Sequence, residues 1–112
     1  MEINNIYNTD ALDGMRVLKA QGFKADLIIT DPPYELSNII AGGNSSLAKS
    51  IQPAFNQLDT PALRKTVSHD YLQSMLDLQD TPNIYLWCNG KQIPYYLDFF
   101  VKKNNCKLDI LI

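Results

Sequence analysis

Apolar residues along this chain switch between two spacings. From Ala11 to about Gln21 they recur at helical intervals, with Leu12, Met15 and Leu18 on one face. Asp10 stands where an N-cap belongs, and Gly22 where the helix would end. The run Ala25-Asp26-Leu27-Ile28-Ile29-Thr30 then reads as a short buried strand, stopped by Pro32-Pro33. From Glu35 to about Ser68 no period is sustained, and Ser, Asn, Gly, Pro and Gln dominate. This 35–68 segment reads as a flexible loop with short helical turns over Ala48–Leu58 and Thr60–Val67, and loops this long are usually functional or disordered. Helical spacing returns near Ser68 or Asp70 and runs to Gln79 through Leu72, Met75 and Leu76, a stripe fit to pack on a sheet. Asn83–Cys88 is a second strand-like run, closed by the turn signal Asn89-Gly90. A last helix is predicted over Ile93–Lys103, with Pro94 in its first turn and Lys102 and Lys103 at its C-terminal end. Lys107 opens a final apolar run. Strands alternating with helices indicate an α/β fold.

At 112 residues the chain is one domain or part of one. Hydrophobic content of 46% against 20% charged residues makes it globular rather than disordered. No apolar stretch approaches a membrane span and no signal peptide opens the chain, which predicts a cytoplasmic protein. Cys88 and Cys106 belong to no close motif and point to a reducing compartment, and two Cys with one His make a metal site improbable. His69 sits at a helix start in polar company, where surface or capping roles prevail. A net charge of −2 argues against a freestanding nucleic-acid binder.

The chemistry concentrates at Asp31-Pro32-Pro33-Tyr34, directly after the first strand run. Ligands of open α/β sheets sit beyond the carboxyl ends of strands. Two prolines make a stiff exit there, which holds a carboxylate, backbone carbonyls and an aromatic ring in fixed relation. Carboxylate and carbonyl accept hydrogen bonds, and a tyrosine ring offers a face for stacking. A planar amine with two N–H bonds satisfies all three: the exocyclic amine of a nucleobase. Accepting both N–H bonds tilts the nitrogen toward tetrahedral geometry and frees its lone pair, so the catalysis is by position and electrostatics. A base in a duplex would have to be flipped out to reach such a pocket.

The tetrad resembles the catalytic motif of the S-adenosylmethionine-dependent DNA adenine-N6 methyltransferases, written Asp-Pro-Pro-Tyr, without departure. Chance would place these four residues in about one chain of this length in a thousand. The resemblance implies a Rossmann-like methyltransferase fold, S-adenosylmethionine as methyl donor, DNA as partner and no metal. It makes Asp31, Pro32, Pro33 and Tyr34 the catalytic residues: Asp31 and the Pro32 carbonyl hold the amine, and Tyr34 stacks the base. It also reads Ile6-Tyr7-Asn8-Thr9-Asp10 as a first strand, completing a βαβ-like unit up to Tyr34. Asp10 then has two candidate roles, contact with the methyl donor or helix N-cap. Asn83–Asn89 is similar to the strand that backs the target-base pocket, which makes Trp87 and Asn89 pocket candidates; core packing is the alternative for Trp87. Lys49, Arg64 and Lys65, in the segment that meets DNA in the family, are candidates for phosphate contact or simply solvated cations.

A glycine-rich donor loop is not found in this sequence: Gly42-Gly43 follows no strand. In the permuted β class the catalytic motif comes first and the glycine loop later. The chain therefore reads as the N-terminal part of a larger enzyme, the fold incomplete and the chain inactive alone. The expected consequence is unpaired edges and bare apolar faces, completed by a missing C-terminal part, another chain or a homo-oligomer. Two other readings stay open. One is methylation of a different planar amine, in cytosine (N4), an RNA base or glutamine. The other is a non-catalytic remnant or interaction module.

Overall fold

The computed structural model describes residues 1–35, 44–58 and 65–109. In chain order these hold α1 (Ala11–Ala20), β1 (Ile28–Thr30), α2 (Ser46–Leu58), α3 (His69–Asp77), β2 (Ile84–Leu86) and α4 (Ile93–Leu97), which continues into a π-helical segment (Asp98–Lys103). The strands β1 and β2 pair in parallel, with Ile28 opposite Ile84, Ile29 opposite Tyr85 and Thr30 opposite Leu86. Among the described residues the result is a mixed helical arrangement around a two-stranded parallel sheet.

Helix α1 starts where the sequence places it, because Asp10 caps it: one carboxylate oxygen accepts from the N–H of Leu12 at 2.9 Å and of Asp13 at 3.3 Å. Gly22 ends the turn after it with φ of +72°, a conformation that suits glycine. Ser68 caps α3 in the same way, through the N–H of Tyr71 at 3.3 Å. Helices α1 and α3 pack together, and an ion pair between Lys19 and Asp77 ties their ends.

The core lies between the sheet and the later helices. Leu72 and Met75 of α3 meet Tyr96 and Phe99, with Ile28, Ile84 and Leu86 packed against them. These three strand residues share one sheet face, as alternation requires. On the other face Ile29 is 65% and Trp87 52% exposed, and Tyr85 and Leu27 are also exposed. The strand predicted as buried is thus covered on one face only among the described residues.

Several expectations are corrected. No strand forms over residues 6–10, and Ile6 is fully exposed. The N-terminal segment instead folds back along α1: the Met1 ammonium donates to Gln21 Oε1 at 2.8 Å, and Thr9 and Met1 lie over Gly14, where a Cβ would meet Thr9 Cγ2 at 3.3 Å. A strand needs a ladder partner, and this segment has taken a helix as its neighbour. The strand–helix–strand unit therefore runs from β1 through α2 and α3 to β2, not from residue 6 to Tyr34.

β1 is also shorter than Ala25–Thr30. Its first backbone groups are spent elsewhere: the Ala25 N–H donates to the Leu78 carbonyl at 2.7 Å, the Ala25 carbonyl accepts from Gln79 Nε2 at 3.3 Å, and the Asp26 carbonyl accepts from Asn83 Nδ2 at 3.2 Å. Within the predicted flexible loop, residues 46–58 form a 13-residue helix, started by the Ser45 hydroxyl, which accepts from the Ala48 N–H at 3.1 Å. The predicted turns over Thr60–Val67 lie mostly outside the described residues. Lys107–Asp109 are not in a strand, and the rest of that predicted strand lies outside the described residues.

Candidate functional site

The parallel register brings the carboxyl ends of β1 and β2 together, and the Trp87 N–H extends the pairing to the Thr30 carbonyl at 3.1 Å. The tetrad leaves the sheet at this end. Asp31 is exposed, Pro32 buried, and Pro33 and Tyr34 half-buried. The Tyr34 phenol is held above its usual value, first by its hydrogen bond to the Asp31 carboxylate and then by burial.

A polar network fixes the backbone on both sides of Tyr34. Gln92, just before α4, is 1% exposed. Its Nε2 donates to the Pro33 carbonyl and to Thr66 Oγ1, each at 3.0 Å, and its Oε1 accepts from the Asn89 N–H at 3.2 Å. The Asn89 side chain accepts from the Gln92 N–H at 3.1 Å and donates to the Glu35 carbonyl at 3.0 Å. Thr66 Oγ1 donates to Glu35 Oε2 at 3.1 Å. Both N–H bonds and the carbonyl of the Gln92 amide are engaged, which is how a buried amide avoids the cost of desolvation. No described residue takes the Pro32 carbonyl.

Sequence reasoning missed Gln92 and Thr66. The available signal was the spacing of Asn89 and Gln92 across the Asn89-Gly90 turn, which allows two side-chain amides to cross-brace before a helix. Asn89 lies beside Glu35, the residue after the tetrad, and both ends of its side-chain amide are occupied, by the Glu35 carbonyl and the Gln92 N–H. The Trp87 side chain goes elsewhere. With Ile84, Leu86, Ile93, Tyr96 and Phe100 it lines an apolar groove of about 570 Å³ beside the second edge of β2, and no tetrad residue takes part.

Asp10 is engaged as an N-cap, and its carboxylate is turned to α1. Lys49 and Lys65 are exposed, and Arg64 lies outside the described residues. His69 has its ring 5.1 Å from that of Tyr95 and 5.2 Å from that of Phe99, away from any role in the tetrad's network. Among the described residues no three His, Cys, Asp or Glu side chains gather as metal ligands, and no helix is long and apolar enough to cross a membrane.

What the arrangement offers is an exposed carboxylate, a carbonyl that no described residue takes and a half-buried ring at the end of a braced parallel strand pair. No family model, curated protein or solved structure matches the chain.

Proposed function

We propose that this chain carries the acceptor side of an S-adenosylmethionine-dependent methyltransferase whose target is N6 of adenine in DNA. The observation that supports the reading is the placement of the tetrad: an exposed Asp31 and a half-buried Tyr34 just beyond the carboxyl end of β1, with the backbone on both sides of Tyr34 braced. In this reading the Asp31 carboxylate accepts one N–H of the amine. The Pro32 carbonyl accepts the other, and the Tyr34 ring stacks on the flipped base. Holding both N–H bonds from fixed acceptors raises the nitrogen's nucleophilicity without a covalent intermediate. Of the three cations read as candidates for phosphate contact, Lys49 and Lys65 are exposed.

The described residues do not fit the methyl donor. Asp10 is spent on its helix, residues 6–9 form no strand, and Gly22 stands in a turn with open space around it. The chain alone is expected to bind no S-adenosylmethionine in calorimetric titration, and micromolar binding would overturn this division of the site. The decisive test of the function is Asp31→Ala in protein that methylates DNA, read by mass spectrometry of the nucleosides. N6-methyladenine should fall about a hundredfold or more, as when one preorganised partner of a reacting group is lost. Undiminished N6-methyladenine would refute the assignment, and methylcytosine in its place would move it to another planar amine.

The outer face of the sheet, exposed among the described residues, and their lack of fit to the donor favour one second reading, an interaction module without catalysis. Methylation lost in Asp31→Ala would exclude it.

A further inference from the structure

The network around Gln92 has a shape that core packing alone does not demand. Its members come from three separate stretches: residues 33–35, Thr66, and residues 89–92. Their bonds converge on the two peptide carbonyls that flank Tyr34, those of Pro33 and Glu35, and on the Glu35 carboxylate. The Tyr34 ring itself is left half-exposed beside Asp31. A loop that served only to leave the sheet would find water for its carbonyls. Here a fully buried amide is spent on one of them, at the cost of desolvating Gln92.

We propose that Gln92 and Asn89 are positioning residues, which hold the Tyr34 backbone from both sides so that its ring is presented to a planar ligand. The inference rests on the proposed function for the identity of that ligand. Neither residue touches the ligand. Gln92 fixes the approach to Tyr34 through Pro33, Asn89 fixes its exit through Glu35, and the two brace each other across the Asn89–Gln92 turn at 3.1 and 3.2 Å.

The test uses the full 112-residue chain, with its tyrosines isotopically labelled and the Tyr34 ring signal assigned by its loss in Tyr34→Phe. Gln92→Met keeps the volume and loses both donors. Asn89→Asp keeps the acceptor for the Gln92 N–H and loses the donor to Glu35, so it is the milder variant if the first does not fold. In the wild type Tyr34 should give one sharp set of ring signals. In either variant that set should broaden, split or shift, while the signals of Tyr95 and Tyr96 in the core stay in place. A Tyr34 signal unchanged in a folded variant would overturn the proposal, and so would a change spread equally over all tyrosines. The readout needs neither nucleic acid nor methyl donor. A displaced Tyr34 alongside a wild type that never methylates would count against the function, and an undisturbed Tyr34 against the clamp.

Discussion

Gln92 Nε2 lies 3.0 Å from the Pro33 carbonyl, 59 positions earlier in the chain. A second buried glutamine does the corresponding work at the opposite end of the strands. Gln79 donates to the carbonyls of Ala25 and Asn83 at 3.3 and 3.1 Å and accepts from the Asn83 N–H at 3.0 Å. One glutamine brings β1 and β2 into register at their start, and the other braces the loop that leaves them. Both amides are buried in full use of their donors, and such networks specify one arrangement because a partial one is costly.

Gln79→Leu should therefore destabilise the chain by about 1–3 kcal/mol, since it strands the Asn83 N–H and the Ala25 carbonyl without partners. Urea unfolding measures this. A loss below about 0.5 kcal/mol, the range of an ordinary surface substitution, would show that the staple contributes nothing.

Tyr96 presents the reverse case. Its hydroxyl is buried without a hydrogen-bond partner among the described residues, and burial pushes the phenol up to about 12. Tyr96→Phe should be neutral or stabilise by up to about 1 kcal/mol at neutral pH. The sign at alkaline pH follows from linkage. The folded phenol holds its proton above the unfolded value near 10, so its contribution is intact below that value and is lost as pH rises toward 12, by roughly 3 kcal/mol at most. Stability profiles of the two proteins from pH 9 to 12 should diverge, the wild type falling faster. Partial burial raises the thiols of Cys88 and Cys106 as well, so some alkaline loss from pH 9 upward remains in both. Parallel profiles would contradict the burial of Tyr96.

The influence of the Asp31 carboxylate on the Tyr34 phenol predicts a titration. With the carboxylate removed in Asp31→Ala, the Tyr34 phenol should titrate lower, toward the ordinary value of 10.0, because the largest cause of its elevation is the hydrogen bond to Asp31. Partial burial remains and keeps it from returning completely. Followed by the ring signals of Tyr34 against pH, an unmoved midpoint would mean that carboxylate and phenol do not meet in solution.

The two faces of β1 should respond differently to truncation. Ile28 packs on the core, so Ile28→Ala should cost about 2–5 kcal/mol. Its neighbour Ile29 is 65% exposed, and Ile29→Thr should stay within about 0.5 kcal/mol in the isolated chain. A large loss at Ile29 would reveal that something covers the outer face.

Much of the local order was legible in the chain. The Asp10 cap, the start of α3 near Ser68, the stripe Leu72–Met75 and the Pro94 helix start sit where spacing and turn chemistry put them, and both strands form within the runs that predict them, because these depend on neighbours within a few positions. The apolar run 27–30 announced a strand, but its alternation of covered and bare faces was hidden: every residue there suits burial, and only the partners decide which face receives it. Residues 6–9 looked like a strand, yet a strand is defined by its ladder, and Met1, Thr9 and Gln21 found contacts along α1 instead.

Asp31-Pro32-Pro33-Tyr34 marked the site from sequence alone, since proline stiffness and a carboxylate beside an aromatic ring are properties of the residues themselves. Tertiary structure decided what surrounds it. Gln92 and Thr66 carry no motif; their value comes from parallel pairing, which sets residues 33–35 beside residues 66 and 89–92. Only there can a buried amide span the distance and fix Tyr34 in place.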